Sequence, residues 1–116
     1  MTSTGTGTAI VTLVGGIISF RVDLGGNLQN VMAAHIHGPA NATQTAGVRM
    51  DLYVPPAGTT ASFTTTAPLA GGVGVVRAGG ITQDSLIVLL RNGNSYANVH
   101  TSANPGGELR GQLIKQ

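Results

Sequence analysis

Alternation with a period of two constrains this chain more than any other feature. In IISFRVDL, residues 17–24, the side chains of Ile18, Phe20, Val22 and Leu24 fall on one face and those of Ser19, Arg21 and Asp23 on the other. VRMDLYV, residues 48–54, repeats the pattern, with Val48, Met50, Leu52 and Val54 set against Arg49, Asp51 and Tyr53. Successive side chains of a strand point to opposite faces, so both stretches read as strands with one buried side. TAIVTLV, residues 8–14, precedes them as a first strand. Gly15-Gly16 then supplies the positive φ angles of a primed hairpin turn. Further breaks fall at Gly25-Gly26-Asn27, Pro55-Pro56-Ala57-Gly58, Gly71-Gly72, Gly79-Gly80 and Asn104-Pro105-Gly106-Gly107. Short strands joined by glycine at nearly every turn predict an all-β fold, an antiparallel Greek-key sandwich or barrel.

One segment departs from that period. In TQDSLIVLLRNG, Thr82 suits an N-cap, Asp84 the first helical turn and Asn92-Gly93 a C-cap. Residues 83–91 therefore read as one short helix, with a buried strand over Leu86–Leu90 as the alternative. At 116 residues the chain makes one domain. Residues 8–116 form its body, and the Gly/Thr-rich residues 1–7 form an arm or an added strand.

Charge narrows the function. Only 9% of the residues are charged, against a usual ~25%, and the net charge of +2 rests on six basic and four acidic groups. With two Tyr, two Phe and no Trp, the chain has neither a phosphate-tracking stripe nor a stacking platform, which argues against nucleic acid as a partner. There is no cysteine, and hence no disulfide framework and no thiolate metal site. No apolar run reaches the ~20 residues that span a bilayer. MTSTGTGT lacks the basic start and apolar centre of a secretory leader, so the chain is either cytoplasmic or numbered from a mature or recombinant terminus. A surface of Thr, Asn, Ser, Gly and Ala suits secreted or cell-surface proteins and subunits that pack against their own copies.

The three histidines carry the remaining chemistry. His35 and His37 share one face of AHIHGPA, while Ala34 and Ile36 point the other way, to the core. In YANVHT the same logic puts Tyr96, Asn98 and His100 outward. In GELRGQLI it leaves Glu108, Arg110 and Gln112 outside, with Leu109, Gly111 and Leu113 inside. If these three segments are neighbours in one sheet, His35, His37, Asn98, His100, Glu108 and Arg110 form one polar outer face. An H-x-H pair and a third imidazole can close on one ion, and all-imidazole ligation suits copper or zinc. Alternatively, the histidines hydrogen-bond backbone or carboxylate groups and fix the turn at Gly38-Pro39. Glu108 and Arg110 read as a structural ion pair or a loop anchor. No serine or threonine stands in a nucleophile-elbow context, so no catalytic residue is assigned.

AHIHGPA, YANVHT and NPGGELRGQL, in that order, closely resemble the signature of the CHRD domain, the module named after chordin. The resemblance runs from about residue 8 to the end, with Gly38, Pro39, Tyr96, Thr101, Gly107 and Gly111 as further motif positions. It implies an all-β, mostly extracellular module without a settled biochemical activity. A fainter resemblance runs to the copper–zinc superoxide dismutase barrel, in which an H-x-H strand and a later V-H strand build a copper site. Carried over, it would make His35, His37 and His100 copper ligands; Arg110 is not in register with the dismutase arginine, and a copper reading needs it only as a nearby group that attracts an anion. No histidine remains for a zinc loop, and residues 40–47 are too few to hold one. The expected architecture is thus superoxide-dismutase-like or immunoglobulin-like.

Two functions follow as expectations. The first is a non-catalytic extracellular module, a structural, adhesive or self-assembling subunit whose partners are its own copies or another extracellular protein. The second is a copper protein with a three-histidine site and dismutase-like redox chemistry.

Overall fold

A computed structural model describes residues 3–115. Their strands are β1 (Thr6–Val14), β2 (Ile17–Gly25), β3 (Leu28–His37), β4 (Val48–Tyr53), β5 (Ala61–Phe63), β6 (Ala67–Gly74), β7 (Ser95–Thr101) and β8 (Leu109–Leu113). One helix, α1 (Gln83–Arg91), lies between β6 and β7. All pairings are antiparallel and build two sheets, β1-β2-β6 and β4-β3-β7-β8, with β5 paired to the first half of β3. The all-β sandwich expected from the alternation is the observed fold.

Turn chemistry sets the path of the chain. Gly15 and Gly16 take φ of 57° and 78°, the mirror-image values that let a two-residue loop follow the twist of β1 and β2. Gly26 and Asn27 then turn the chain out of the first sheet and into the second. Side chains from the two sheets meet between them. Ile18, Val22 and Leu24 of β2 face Leu28, Val31, Ala34 and Ile36 of β3, Met50 and Leu52 of β4, and Val99 of β7. Asn30 has a φ of 55°, and the β3–β7 register shifts between Val31 and Ala33, so the buried positions of β3 change parity there.

Helix wins over strand at residues 83–91 because its ends are capped and its apolar residues share one side. The Thr82 hydroxyl accepts the Ser85 amide at 3.1 Å, and Asp84 and Arg91 sit at the ends that the helix dipole favours. Leu86, Ile87 and Leu90 enter the core, whereas Val88 is 54% exposed. Two details of the sequence reading change. Gly71-Gly72 is not a break: both lie inside β6, paired with Arg21 and Phe20 of β2. Val54 is 70% exposed, since β4 stops at Tyr53 and the two prolines that follow carry the chain away.

The sandwich closes on one side and stays open on the other. A bridge between Met50 and Val76 and the Arg77 amide on the Arg49 carbonyl, at 2.6 Å, tie β4 to the chain that leaves β6. At the opposite side, β1 and β8 face each other without pairing among the described residues. Of the stretch 1–7, Thr6 and Gly7 begin β1 and the Ser3 hydroxyl donates to Glu108 at 2.5 Å; Met1 and Thr2 lie outside the described residues.

Candidate metal centre

Register brings the polar side chains together. On the outer face of the second sheet, Asp51 of β4, His35 of β3, Asn98 of β7 and Arg110 of β8 form one row across four strands. His37, Tyr96 and Gln112 form the next row, and His100 stands opposite Ala33. The β3–β4 register shifts on both sides of His35–Ile36, and such irregularities re-aim side chains locally. One nitrogen from each of His35, His37 and His100 then lies within 4.8 Å of the others.

Each imidazole has a nitrogen against an oxygen, and His37 has both. His37 Nδ1 lies 2.8 Å from the Ala46 carbonyl and His100 Nδ1 lies 2.7 Å from the Pro105 carbonyl. A carbonyl only accepts, so both rings donate from Nδ1, and a neutral ring of that tautomer keeps a lone pair on Nε2; His37 Nε2 faces a second oxygen, Asn98 Oδ1, at 2.9 Å. His35 Nε2 lies 3.5 Å from Asp51 Oδ1, the same carboxylate oxygen that Arg77 binds. His35 Nδ1 turns instead to His100 Nε2, at 3.1 Å. Two nitrogens bonded to one ion at about 2.05 Å, with an angle of about 90–110°, lie about 2.9–3.4 Å apart. The His35–His100 spacing falls in that range, and it is also that of an N–H···N hydrogen bond. Burial, followed by the neighbouring His100, pushes the His35 pKa down to about 4, so its ring is neutral at neutral pH.

The outward face is not an exposed one. His37 is 7% exposed and Asn98 7%, because residues 38–47 fold over them. Among the contacts that hold that loop are Arg49 Nε on the Gly38 carbonyl at 2.7 Å, Gln112 on Ala40 at 2.8 Å, Arg110 on Asn41 at 2.8 Å, and the Ala46 amide on the Tyr96 hydroxyl at 3.2 Å. A side chain at Gly38 would come within 2.9 Å of the Asn94 carbonyl, so glycine lets the loop leave β3 close to the start of β7. The Gly38–Pro39 peptide bond is cis.

Two residues placed on the polar face from sequence do different work. The Tyr96 ring stacks on His37, with centroids 4.8 Å apart and planes 2° from parallel, and the Arg110 guanidinium sits 3.6 Å from the Tyr96 centroid. β7 lies between β3 and β8, so Arg110 is on the far side of Tyr96 from His37. It anchors the loop and braces the ring; it does not reach the histidines as an anion-attracting group. Glu108 leaves the face altogether. It accepts from Ser3, from Thr101 at 2.9 Å and from Asn104 at 3.1 Å, and it makes no ion pair with Arg110 among the described residues.

Of the other motif positions, Gly107 takes a φ of 124° in the turn before β8 and leaves room for the Asn98 amide, 3.3 Å from where a side chain would begin. Thr101 is fully buried, and Gly111 pairs with Ala97. Asp51 and the carbonyls of Ala46 and Pro105 went unassigned from sequence. Asp51 carried a signal, being the polar partner in VRMDLYV; the carbonyls carried none.

Residues 1–113 match the family model of the CHRD domain. No curated protein and no solved structure matches the chain. With AHIHGPA, YANVHT and NPGGELRGQL all inside the matched span, the chain belongs to the CHRD domain family.

Proposed function

We propose that this CHRD domain is an extracellular β module that binds one copper ion through His35 Nδ1, His37 Nε2 and His100 Nε2. CHRD domains generally occur in secreted proteins, which supports the extracellular setting. The observation that carries the metal reading is convergence: one nitrogen from each of the three rings lies within 4.8 Å of the others. His37 and His100 turn Nδ1 to carbonyls outside the cluster, as metal-bound histidines do with their outer partners. Neutral imidazoles favour copper or zinc, and for the same nitrogen set copper binds more tightly.

The test is a calorimetric titration with copper(II) of the wild type and of the double variant His35→Ala/His37→Ala. One tight equivalent that disappears in the double variant supports the reading. A wild type that takes up no copper ends it.

A second reading has its own observation. The facing edges of β1 and β8, unpaired among the described residues, offer main-chain groups to another strand, which favours a structural or self-assembling role for the module.

A further inference from the structure

We propose that the side-chain oxygen of Asn98 is a fourth ligand of the three-histidine site and closes its coordination against small anions. The proposal rests on reading the histidines as a metal site. Asn98 stands on β7 between Tyr96 and His100, paired with His35 on one side and Arg110 on the other. It is 7% exposed, and its Oδ1 lies 2.9 Å from His37 Nε2.

Counting protons turns that contact into an argument. His37 gives its N–H to Ala46, so its Nε2 carries a lone pair, and an amide oxygen carries only lone pairs. Two acceptors therefore face each other at 2.9 Å. His35 Nδ1 can donate to His100 Nε2 at 3.1 Å, since His100 gives its own proton to Pro105, so the unmet contact is the one between His37 and Asn98. A cation held by His37 Nε2 and Asn98 Oδ1 relieves it, and the 2.9 Å spacing suits neighbouring ligands of a single ion. The absence of a side chain at Gly107 leaves space for the amide nitrogen, which keeps Oδ1 turned toward His37.

The chemical consequence separates two kinds of metal site. A catalytic ion keeps a position open to its substrate, whereas a closed four-ligand set holds the metal without one. The neighbouring cations fit the closed kind: Arg77 is engaged by Asp51, and Arg110 by Tyr96 and the Asn41 carbonyl. A dismutase-like reaction, which must admit an anion to the ion, is not what this geometry serves.

The experiment loads the full chain with copper(II) and then titrates sodium azide, followed by electron paramagnetic resonance and by the azide-to-copper absorption band. Wild type, Asn98→Ala and Asn98→Asp are compared, with circular dichroism as the check on folding. The wild type and N98D, which keeps an oxygen at this place, should stay silent to azide. N98A should gain the band and lose at least roughly tenfold in copper affinity. If N98A does not fold, Asn98→Ser, too short to reach the ion, is read in its place. Azide entering the wild type as readily as the variant overturns the proposal, as does an unchanged affinity in a folded N98A. A wild type that binds no copper before azide is added overturns the three-histidine reading instead, so the two failures are distinguishable.

Discussion

His35 Nδ1 and His100 Nε2 meet at 3.1 Å across two neighbouring strands, while His100 Nδ1 faces the Pro105 carbonyl at 2.7 Å. The pair is held in place by the sheet: Ile36 and Ala34 are fully buried on the reverse face and fix the twist and height of β3. An ion that binds only the folded arrangement stabilises it by mass action, by about 2.7 kcal/mol at one hundred times its dissociation constant. For a chain of this size that is a rise in melting temperature of about 10 °C. Thermal melts with copper and with a chelator should differ by that amount in the wild type and coincide in His35→Ala/His37→Ala. Coinciding melts in the wild type would refute the coupling.

Tyr96 links the loop to the site through two separable groups. Its hydroxyl accepts the Ala46 amide at 3.2 Å, and its ring is clamped between His37 and Arg110. Tyr96→Phe keeps the stack and removes two hydrogen bonds, the one from the Ala46 amide and a longer one donated to the Ala46 carbonyl at 3.4 Å. It should cost about 1–2 kcal/mol and leave copper affinity nearly intact. Tyr96→Ala removes the ring and should cost about 3–5 kcal/mol. It also frees His37 and should weaken copper binding together with stability. Urea melts and copper titrations on both variants check this; equal effects would mean that the ring does not position His37.

Glu108 gives the fold an acid sensitivity that is separate from the histidines. Hydrogen bonds from Ser3 and Thr101, with Asn104 adding to them, hold its carboxyl below the usual carboxylate range. A carboxylate depressed in the folded state stabilises the fold above the unfolded pKa of about 4.3, and the contribution fades as pH falls through the folded value. Stability should therefore drop on acidification, and Glu108→Gln should flatten that drop while being less stable at pH ~7. Solvent screening keeps the difference below about 1 kcal/mol. Urea melts at neutral and acid pH decide it; parallel profiles for the two proteins would count against the role.

The strands of the site were legible because their pattern is local. Alternation in AHIHGPA and YANVHT places His35, His37, Asn98 and His100 on one face without knowledge of the rest of the chain, and the Thr82 cap marks α1 in the same way. What could not be read depends on distant partners. His37 is buried only because residues 38–47 fold back over it, secured from β8 by Arg110 and Gln112. Arg110 alternates outward as expected, yet its position on the far side of Tyr96 follows from the strand order β3-β7-β8, which no local period encodes. Gly71-Gly72 misled for the same reason: glycine marks a break in isolation but tolerates a strand when β2 pairs with it.

The open side of the sandwich makes the last prediction. Among the described residues β1 pairs only with β2 and β8 only with β7, so each presents a free edge to the other. Ala9, Val11 and Leu13 point inward but stay half-buried, while Ile10 and Ile114 beside the gap are 56% and 68% exposed. Natural edge strands are commonly blunted by lysine or by a covering element, and β1, TGTAIVTLV, has neither charge nor cover. An extended segment of another copy can add to that edge, with main-chain bonds for affinity and apolar side chains over the half-buried row. The chain should then associate with rising concentration in sedimentation experiments. Ile10→Lys, a change on the solvent side of β1, should return it to monomer with its melting temperature nearly unchanged. A wild type that stays monomeric at its highest soluble concentration would remove the self-assembling role and leave the histidine site as the function of the module.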